Sequence, residues 1–240
     1  MRCALLHGFV GDVRAWDGVI AAWSADASPV AIALPGHGGG DVAASWDANI
    51  ASVASAVERA SPGCDTAIGY SMGARIALGL LARGAITRAV LISGNPGIDD
   101  AERPARIASD AAWAALLRER GITAFVDAWQ AQPLFADQHA PADALAARTV
   151  RRRTLDGEQL ARCLEVMGLG AMPDFRAQLP GWRERIAVLA GARDAKFAAI
   201  ARAMPAARCD LVADAGHDPT IEQPRALAAA IAQGIAAVGG

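Results

Sequence analysis

Six short apolar runs that alternate with helix-like segments are the feature that most limits how this chain can fold. Runs of this kind, bounded by Gly, Pro or Asp, are typical of strands that are buried on both faces of a parallel sheet. Their alternation with helical segments predicts a doubly wound α/β sheet. The predicted strands are 3–6, 30–34, 66–70, 89–93, 186–190 and 209–212. The predicted helices are 14–24, 47–60, 72–83, 196–204 and 222–236.

The alternation stops between about residues 100 and 180, where the chain has no strand-like run. This stretch carries helical patterns such as AAWAALLRERGI and GEQLARCLEVMGL, separated by prolines. We therefore expect an all-helical insert over 101–180, and a core built from 1–100 and 181–240. The insert would follow the strand that ends near Ser93.

Composition excludes several classes of protein. With 23 basic and 25 acidic residues the net charge is −2, so a strongly basic nucleic-acid-binding surface is not predicted. The longest weakly polar stretch, near 226–239, is too short to span a bilayer. The four cysteines form no CxxC pair, which favours reduced thiols and a cytoplasmic location. The composition leaves the oligomeric state open.

Cofactor and metal motifs are missing from the sequence. The four histidines are isolated, without the HxH or HExxH spacing of common metal sites. No GxGxxG segment follows a predicted strand, so a nucleotide is not expected either. We predict a protein that works without a cofactor or a metal.

The clearest chemical signal is the motif Gly69-Tyr70-Ser71-Met72-Gly73, which lies where a predicted strand ends and a helix begins. A sharp strand-to-helix turn exposes the serine hydroxyl above the sheet, and the glycines relieve crowding around it. The motif therefore predicts Ser71 as a catalytic residue. The alternative is a plain glycine-rich turn.

A catalytic serine needs a histidine base, and His217 is the best candidate. In this class of fold the chain order is serine, acid, histidine, so only His139 and His217 follow Ser71 in the required direction. His139 lies in the polar segment ADQHAPAD of the insert and is predicted to be a surface residue. His217 lies in AGHD, directly after the last strand.

Asp194 is predicted to be the acid that orients His217. It follows the strand IAVLA through a short turn, so it lies at the same sheet edge as Ser71. Asp210 and Asp214 are competitors, although the first lies within a strand and the second is close to His217 in sequence.

The oxyanion hole needs two backbone N–H donors. One is expected from Met72, and the other from Phe9 in the loop after the first strand. The run His37-Gly38-Gly39-Gly40 is similar to the HGGG oxyanion motif of some esterases, but it follows the second strand. We interpret it as a structural turn.

Several segments together resemble one family. LLHGF, LPGHG, GYSMG and the late AGH are typical of the α/β-hydrolase fold, with a mostly parallel sheet, helices on both faces and a helical cap. Ser93–Gly97, AWQAQPLF, Gly168–Asp174 and GARDAKF make the chain similar to the 2-succinyl-6-hydroxy-2,4-cyclohexadiene-1-carboxylate synthase family. These are lyases of menaquinone biosynthesis that eliminate pyruvate from 2-succinyl-5-enolpyruvyl-6-hydroxy-3-cyclohexene-1-carboxylate. The resemblance covers nearly the whole chain.

The resemblance implies roles for individual residues. Ser71, Asp194 and His217 match the family's triad, and the serine would act mainly as a base. Phe9 and Met72 match the oxyanion-hole donors. The substrate is a small polycarboxylate, which arginine can bind through two parallel hydrogen bonds. The positions that match substrate-binding residues are Tyr70, Arg75, Arg106, Trp129 and Arg153, and the neighbours Arg151 and Arg152 remain open as alternatives to Arg153.

Two features depart from the family's pattern. His217 is followed by Asp218-Pro219-Thr220, where the family typically has an Asn and a second His. The chain also begins almost directly at the first predicted strand, so we expect a sheet that is smaller at one edge.

Two other functions are compatible with the same motifs. The first is a serine hydrolase of an ester or a carbon–carbon bond, for which converging arginines would be of no use with neutral substrates. The second is a non-catalytic protein that binds a small molecule on the same fold. Turnover distinguishes this second alternative from an enzyme.

Overall fold

Six parallel strands form one sheet in the computed structural model, which describes residues 1–23, 27–136 and 138–239. The order across the sheet is β2-β1-β3-β4-β5-β6, and every neighbouring pair is parallel. This arrangement confirms the predicted α/β sheet. The strands are β1 Arg2–Leu6, β2 Ser28–Ile32, β3 Thr66–Tyr70, β4 Arg88–Ile92, β5 Ile186–Gly191 and β6 Arg208–Val212.

The second strand begins two residues earlier than predicted. The sequence predicts 30–34, whereas β2 is Ser28–Ile32 because Arg2 pairs with Ser28 and Leu6 with Ile32. Pairing with β1 sets these limits, and hydrophobicity alone does not mark them. Pro29, which has no N–H to donate, is tolerated because β2 is an edge strand.

Ten α-helices are described, and most agree with the predicted segments. The predicted helix 14–24 is instead a 3₁₀ turn over Val13–Trp16 followed by a short helix, and residue 24 lies outside the described residues. The predicted helix 222–236 is preceded by a separate turn that ends before Pro224, because the residue before a proline avoids helical geometry. The helices are α1 Asp17–Ala21, α2 Trp46–Ala60, α3 Met72–Ala82, α4 Arg103–Gln130, α5 Ala142–Arg152, α6 Gly157–Met167, α7 Leu179–Trp182, α8 Ala195–Ala203, α9 Pro219–Glu222 and α10 Pro224–Val238.

Helices cover both faces of the sheet. Successive residues of a strand point to opposite faces, so each strand contributes side chains to both layers. Ala4 and Leu6 of β1 pack on the side of α2, α3 and α8. Cys3 and Leu5 pack on the other side, against α1 and α10. Both layers are apolar, which leaves the carboxyl ends of the strands as the place for polar chemistry.

A helical cap follows β4. Its two main helices, α4 and α6, pack together around Leu117, Phe125 and Leu160, and Val10 from the core joins this cluster. The long helix α4 is interrupted at Gly121, whose φ of 74° and ψ of 173° are not helical. The cap confirms the predicted all-helical insert, while its limits at 101 and 180 stay a prediction. No helix in the described part of the chain has the length and apolarity needed to cross a bilayer.

Candidate active site

Ser71 lies at a sharp turn between β3 and α3. Its φ of 53° and ψ of −107° are unusual for a residue with a side chain, and such strain is concentrated at functional sites. A Cβ on Gly73 would overlap the Leu6 carbonyl oxygen, and one on Gly69 would overlap that of Gly73. The glycines of the motif are therefore required by the close approach of the turn to β1 and to itself.

Ser71, His217 and Asp194 form a hydrogen-bonded chain. The Ser71 Oγ lies 3.3 Å from His217 Nε2, and His217 Nδ1 lies 2.7 Å from Asp194 Oδ2. A carboxylate only accepts hydrogen bonds, so the proton of the neutral ring belongs on Nδ1 and Nε2 remains an acceptor for the serine hydroxyl. This arrangement can remove a proton from Ser71, or from a substrate through it.

Asp194 is held in place by the start of α8. Its Oδ1 accepts from the Phe197 N–H at 3.1 Å, which leaves Oδ2 for the histidine. The two competing acids lie elsewhere: Asp210 pairs with Arg208, and Asp214 is exposed. Of the three predicted candidates, the structure brings only Asp194 to His217.

Glu222 and aromatic rings hold the histidine loop. One carboxylate oxygen of Glu222 accepts from the Gly216 N–H at 2.9 Å, and the other accepts from the Asp218 N–H at 3.1 Å. The N–H groups of both residues that flank His217 are thus held by a single buried side chain. The ring of Phe197 packs on the imidazole with centroids 4.5 Å apart.

The two predicted oxyanion donors lie beside the serine. Met72 is the first residue of α3, so its N–H has no acceptor within the helix. Phe9 lies in the loop that follows β1, three residues after the strand ends at Leu6. Ser71, Met72 and Phe9 all line one cavity of about 160 Å³.

Arg75, Arg106 and Trp129 also line this cavity, and all three match substrate-binding positions in the resemblance. Trp129 stacks on Phe125 with centroids 5.5 Å apart and contacts Phe9 edge-on, so aromatic rings form one wall. Arg75 belongs to α3 of the core, whereas Arg106 and Trp129 belong to α4 of the cap, so only the fold brings them together.

Arg75 has neutral partners only, among the described residues. Its Nη1 donates to the Met167 carbonyl at 2.6 Å and approaches the Met172 Sδ at 3.8 Å. Burial, and secondly the charge of Arg106, lowers the pKa of Arg75 to about 10. The group still carries its charge at neutral pH, so a cation without a counter-ion lies one helical turn from Ser71.

Arg106 is already paired within the cap. Its guanidinium contacts the buried Asp110 carboxylate, with Nη2 2.9 Å from Oδ1 and Nε 3.0 Å from Oδ2. The pair fixes the position of the guanidinium at the cavity wall. Arg106 can therefore present its remaining N–H groups to a ligand without reorganising.

A second cavity, of about 340 Å³, lies on the other side of Phe9. Tyr70 lines this cavity and not the first one, and burial raises its pKa well above the usual value, which keeps the phenol neutral. Three arginines of α5 lie in the wall, and the resemblance left two of them, Arg151 and Arg152, open as alternatives to Arg153. The three arginines are Arg148, Arg151 and Arg152.

The structure does not bring Arg153 to either cavity. Its Nη2 pairs with Asp127 Oδ1 at 2.6 Å on the cap surface, and the side chain is 41% exposed. The preceding residue, Arg152, is buried instead, because one residue along a helix rotates the side chain by about 100°. The predicted convergence of Arg75, Arg106 and Arg153 is therefore wrong in its third member.

Buried guanidinium atoms without a partner mark the second cavity. Within the described residues, Arg148 Nε and Arg152 Nη1 have no hydrogen-bond acceptor although both are buried. Such groups are costly unless a ligand or water satisfies them. The sequence signal that could have found them is their spacing of four residues, which places Arg148 and Arg152 on one face of a helix.

Neither a metal site nor a catalytic role for His139 emerges from the described residues. No group of three or more His, Cys, Asp or Glu side chains in the described ranges is arranged to hold a metal ion. His139 is exposed in the cap, as predicted.

The sheet order, the elbow and the hydrogen-bonded Ser71, His217 and Asp194 define an α/β hydrolase, and the model of the alpha/beta hydrolase family matches residues 4–230. The 2-succinyl-6-hydroxy-2,4-cyclohexadiene-1-carboxylate synthase of Escherichia coli O157:H7 (strain EC4115 / EHEC) is 35% identical over 235 residues, covering 95% of this chain and 91% of that protein. The protein of the same name from Escherichia fergusonii is also 35% identical, over 95% of this chain and 91% of its own length. This chain belongs to the 2-succinyl-6-hydroxy-2,4-cyclohexadiene-1-carboxylate synthase family.

Solved structures agree with this assignment. MenH from S. aureus superimposes with a TM-score of 0.90 at 27% identity, covering all of this chain and 95% of that one. An enol-lactonase from Burkholderia xenovorans LB400 has a TM-score of 0.74 at 23% identity, covering 97% of this chain and 90% of its own, which shows the shared fold alone.

Proposed function

We propose that this protein is a carbon–oxygen lyase of menaquinone biosynthesis. It eliminates pyruvate from 2-succinyl-5-enolpyruvyl-6-hydroxy-3-cyclohexene-1-carboxylate and forms 2-succinyl-6-hydroxy-2,4-cyclohexadiene-1-carboxylate. The observation that carries the proposal is Arg75, a half-buried cation without a carboxylate partner among the described residues, in the cavity that contains Ser71. A neutral ester has no negative charge to pair with the Arg75 guanidinium, whereas each carboxylate of the substrate has one.

The reaction is a 1,4-elimination, and its atoms balance without a cofactor. A base removes the proton from C2, which is acidic because the succinyl ketone is attached there. The C2–H electrons form the C2=C3 bond, the former C3=C4 pair forms C4=C5, and the C5–O bond breaks. The leaving enolpyruvate takes up a proton and becomes pyruvate, so the proton taken by the enzyme is returned.

The proposed base is Ser71, acting through His217. The imidazole Nε2 takes the hydroxyl proton as Oγ takes the proton from C2, and Asp194 stabilises the imidazolium that forms. The oxygen of the succinyl ketone gains negative charge as C2 loses its proton. The backbone N–H groups of Phe9 and Met72 are the proposed donors that stabilise it.

Arginines are the proposed carboxylate ligands. Arg75 and Arg106 line the cavity beside Ser71, and Arg152 replaces the predicted Arg153 because its unpartnered Nη1 lies in the neighbouring cavity wall. Trp129 lines the cavity beside Ser71, and Tyr70 lines the neighbouring cavity. The substrate would then lie across Phe9, which lines both cavities.

The helical cap of 101–180 and a cytoplasmic location are part of the same proposal. All four cysteines are unpaired thiols, three of them buried, which fits a reducing compartment.

Pyruvate release from the cyclohexene adduct tests the function. The purified protein is incubated with the adduct, and pyruvate is measured together with the absorbance of the conjugated diene. Stoichiometric release supports the lyase. Hydrolysis of a neutral ester without pyruvate release would place the serine hydrolase first, and tight binding without turnover would place the non-catalytic binding protein first.

A further inference from the structure

Val10 has a backbone conformation that a valine does not adopt without support. Its φ is 58°, in the left-handed region, where the branched Cβ is crowded by the backbone. The residue directly follows Phe9, and its side chain is 1% exposed and packed under the cap. A strained residue of this kind persists only where the surrounding structure holds it.

Two side chains hold Val10 from opposite directions. The Val10 N–H donates to His37 Nε2 at 3.1 Å, and the Val10 carbonyl accepts from Arg152 Nε at 3.2 Å. His37 belongs to the turn after β2, within the core, whereas Arg152 is the last residue of α5 in the cap. Both peptide groups of the strained residue are thus fixed, one by each part of the protein.

His37 is bound in the tautomer that this contact requires. Its Nδ1 lies 3.0 Å from the Pro35 carbonyl oxygen, which can only accept, so Nδ1 carries the proton and Nε2 accepts from Val10. Burial lowers the pKa of His37 to about 3, which keeps the ring neutral at working pH. The ring also packs edge-on against Phe9 with centroids 5.4 Å apart.

We propose that His37 is a positioning residue for the oxyanion hole, which holds Val10 in its left-handed conformation and thereby directs the Phe9 N–H into the cavity of Ser71. The proposal rests on the function above, in which Phe9 is one of the two donors. His37 touches no reacting atom, so it acts only through Val10. Its backbone forms the turn that the HGGG-like sequence predicts, while its side chain serves the loop after β1.

Two substitutions separate the hydrogen bond from the volume of the ring. His37→Leu fills similar space without an acceptor, whereas His37→Gln can place Oε1 near the position of Nε2. A matched control is Asn49→Leu, which also removes a buried side-chain acceptor, in this case from the Ala43 N–H at 2.9 Å in a loop that lines none of the described cavities. Three measurements follow: exchange of the Val10 amide, kcat and KM for pyruvate release, and the rate at which a fluorophosphonate labels Ser71.

We expect His37→Leu to increase Val10 amide exchange at least about tenfold and to lower kcat roughly 10- to 100-fold, with KM within about threefold of the parent value. His37→Gln should restore most of each loss. Asn49→Leu should lower the melting temperature and leave kcat within about twofold.

Two results would overturn the proposal: unchanged Val10 exchange in His37→Leu, or faster exchange with kcat still within about twofold of the parent. Equal loss of kcat in His37→Gln and His37→Leu would also contradict it. If the parent protein releases no pyruvate, the lyase function fails. The rate at which the fluorophosphonate labels Ser71 then tests the positioning role of His37, because a phosphonate oxygen needs the same two donors. Labelling in His37→Leu that is as fast as in the parent then refutes the positioning role.

Discussion

Arg148 of α5 and Asp218, the residue after His217, form a buried ion pair between the cap and the catalytic loop. Nη1 of the arginine lies 2.8 Å from Oδ2 of the carboxylate, and the two side chains are 10% and 5% exposed. The other carboxylate oxygen accepts from the Thr220 hydroxyl at 2.5 Å. Asp218 stands where the family typically has an Asn, so this contact explains what the departure from the pattern does.

Asp218→Asn should destabilise the protein. It leaves the Arg148 charge buried without its counter-ion, and breaking a buried pair costs roughly 3–5 kcal/mol. Arg148→Met combined with Asp218→Asn should recover much of this loss, because no uncompensated charge remains. Urea unfolding of the single and double variants measures the coupling. Additive losses in the double variant would contradict the pair.

Ser71→Ala should remove most activity and leave the fold intact. Deleting the serine from a triad costs on the order of 10⁴–10⁶ in rate, while the hydroxyl contributes little packing at the elbow. Pyruvate release and the melting temperature are the two measurements. A variant that keeps a tenth of normal turnover would exclude Ser71 as the base.

No covalent adduct on Ser71 is expected during turnover of the cyclohexene substrate. The elimination requires a base and no acyl-enzyme, so the serine oxygen only carries a proton. Intact mass spectrometry of the enzyme, quenched at steady state, should give the mass of the unmodified chain. A substrate-derived mass increase that is absent from Ser71→Ala would make the serine a nucleophile.

Arg75→Ala should lower kcat/KM strongly. Loss of one partner of a buried charge pair costs roughly 2–5 kcal/mol, which corresponds to roughly 30- to 5,000-fold. Arg75→Lys should recover only part of this, because an ammonium lacks the planar fork that binds a carboxylate.

The neighbours Arg152 and Arg153 provide a matched test of the cavity assignment. Arg152→Ala should lower kcat/KM, whereas Arg153→Ala should stay within about twofold, because the Arg153 pair with Asp127 is exposed and contributes little. The measurements are kcat/KM for pyruvate release and the melting temperature of each variant. A large effect of Arg153→Ala with none of Arg152→Ala would reverse the assignment.

The free energy of unfolding should decrease as pH falls, because of two buried neutral histidines. Burial lowers the pKa of His7 to about 4 and that of His37 to about 3, whereas an exposed imidazole has a pKa of about 6.5. Between these values the unfolded chain binds more protons, so stability is complete above about pH 6.5 and is lost below it. Each histidine contributes roughly 1.4 kcal/mol per pH unit in this window.

Urea unfolding between pH 7 and pH 5 measures this effect. His37→Gln removes one of the two groups, so its free energy of unfolding should depend less steeply on pH. An unchanged slope in that variant would show that His37 is not buried in its neutral form.

Local sequence determined the elements whose physical signals are short-range. The alternation of apolar runs and helices predicts the parallel sheet, and the motif around Ser71 predicts the elbow. The chain order of serine, acid and histidine, together with a position directly after a strand, favours Asp194 and His217. Local sequence did not determine the limits of β2, since pairing with β1 sets them.

Tertiary structure decided which side chains face the same space. Arg152 and Arg153 are adjacent in sequence, but helix α5 turns one towards Tyr70 and the other towards solvent, and packing alone determines which face of the helix is turned inward. The His37 contact with Val10 joins residues 27 positions apart, and the Arg152 contact with Val10 joins residues 142 apart. The sequence shows which polar and charged side chains the chain contains. Burial and long-range packing decide which of them remain unpaired and can bind a ligand.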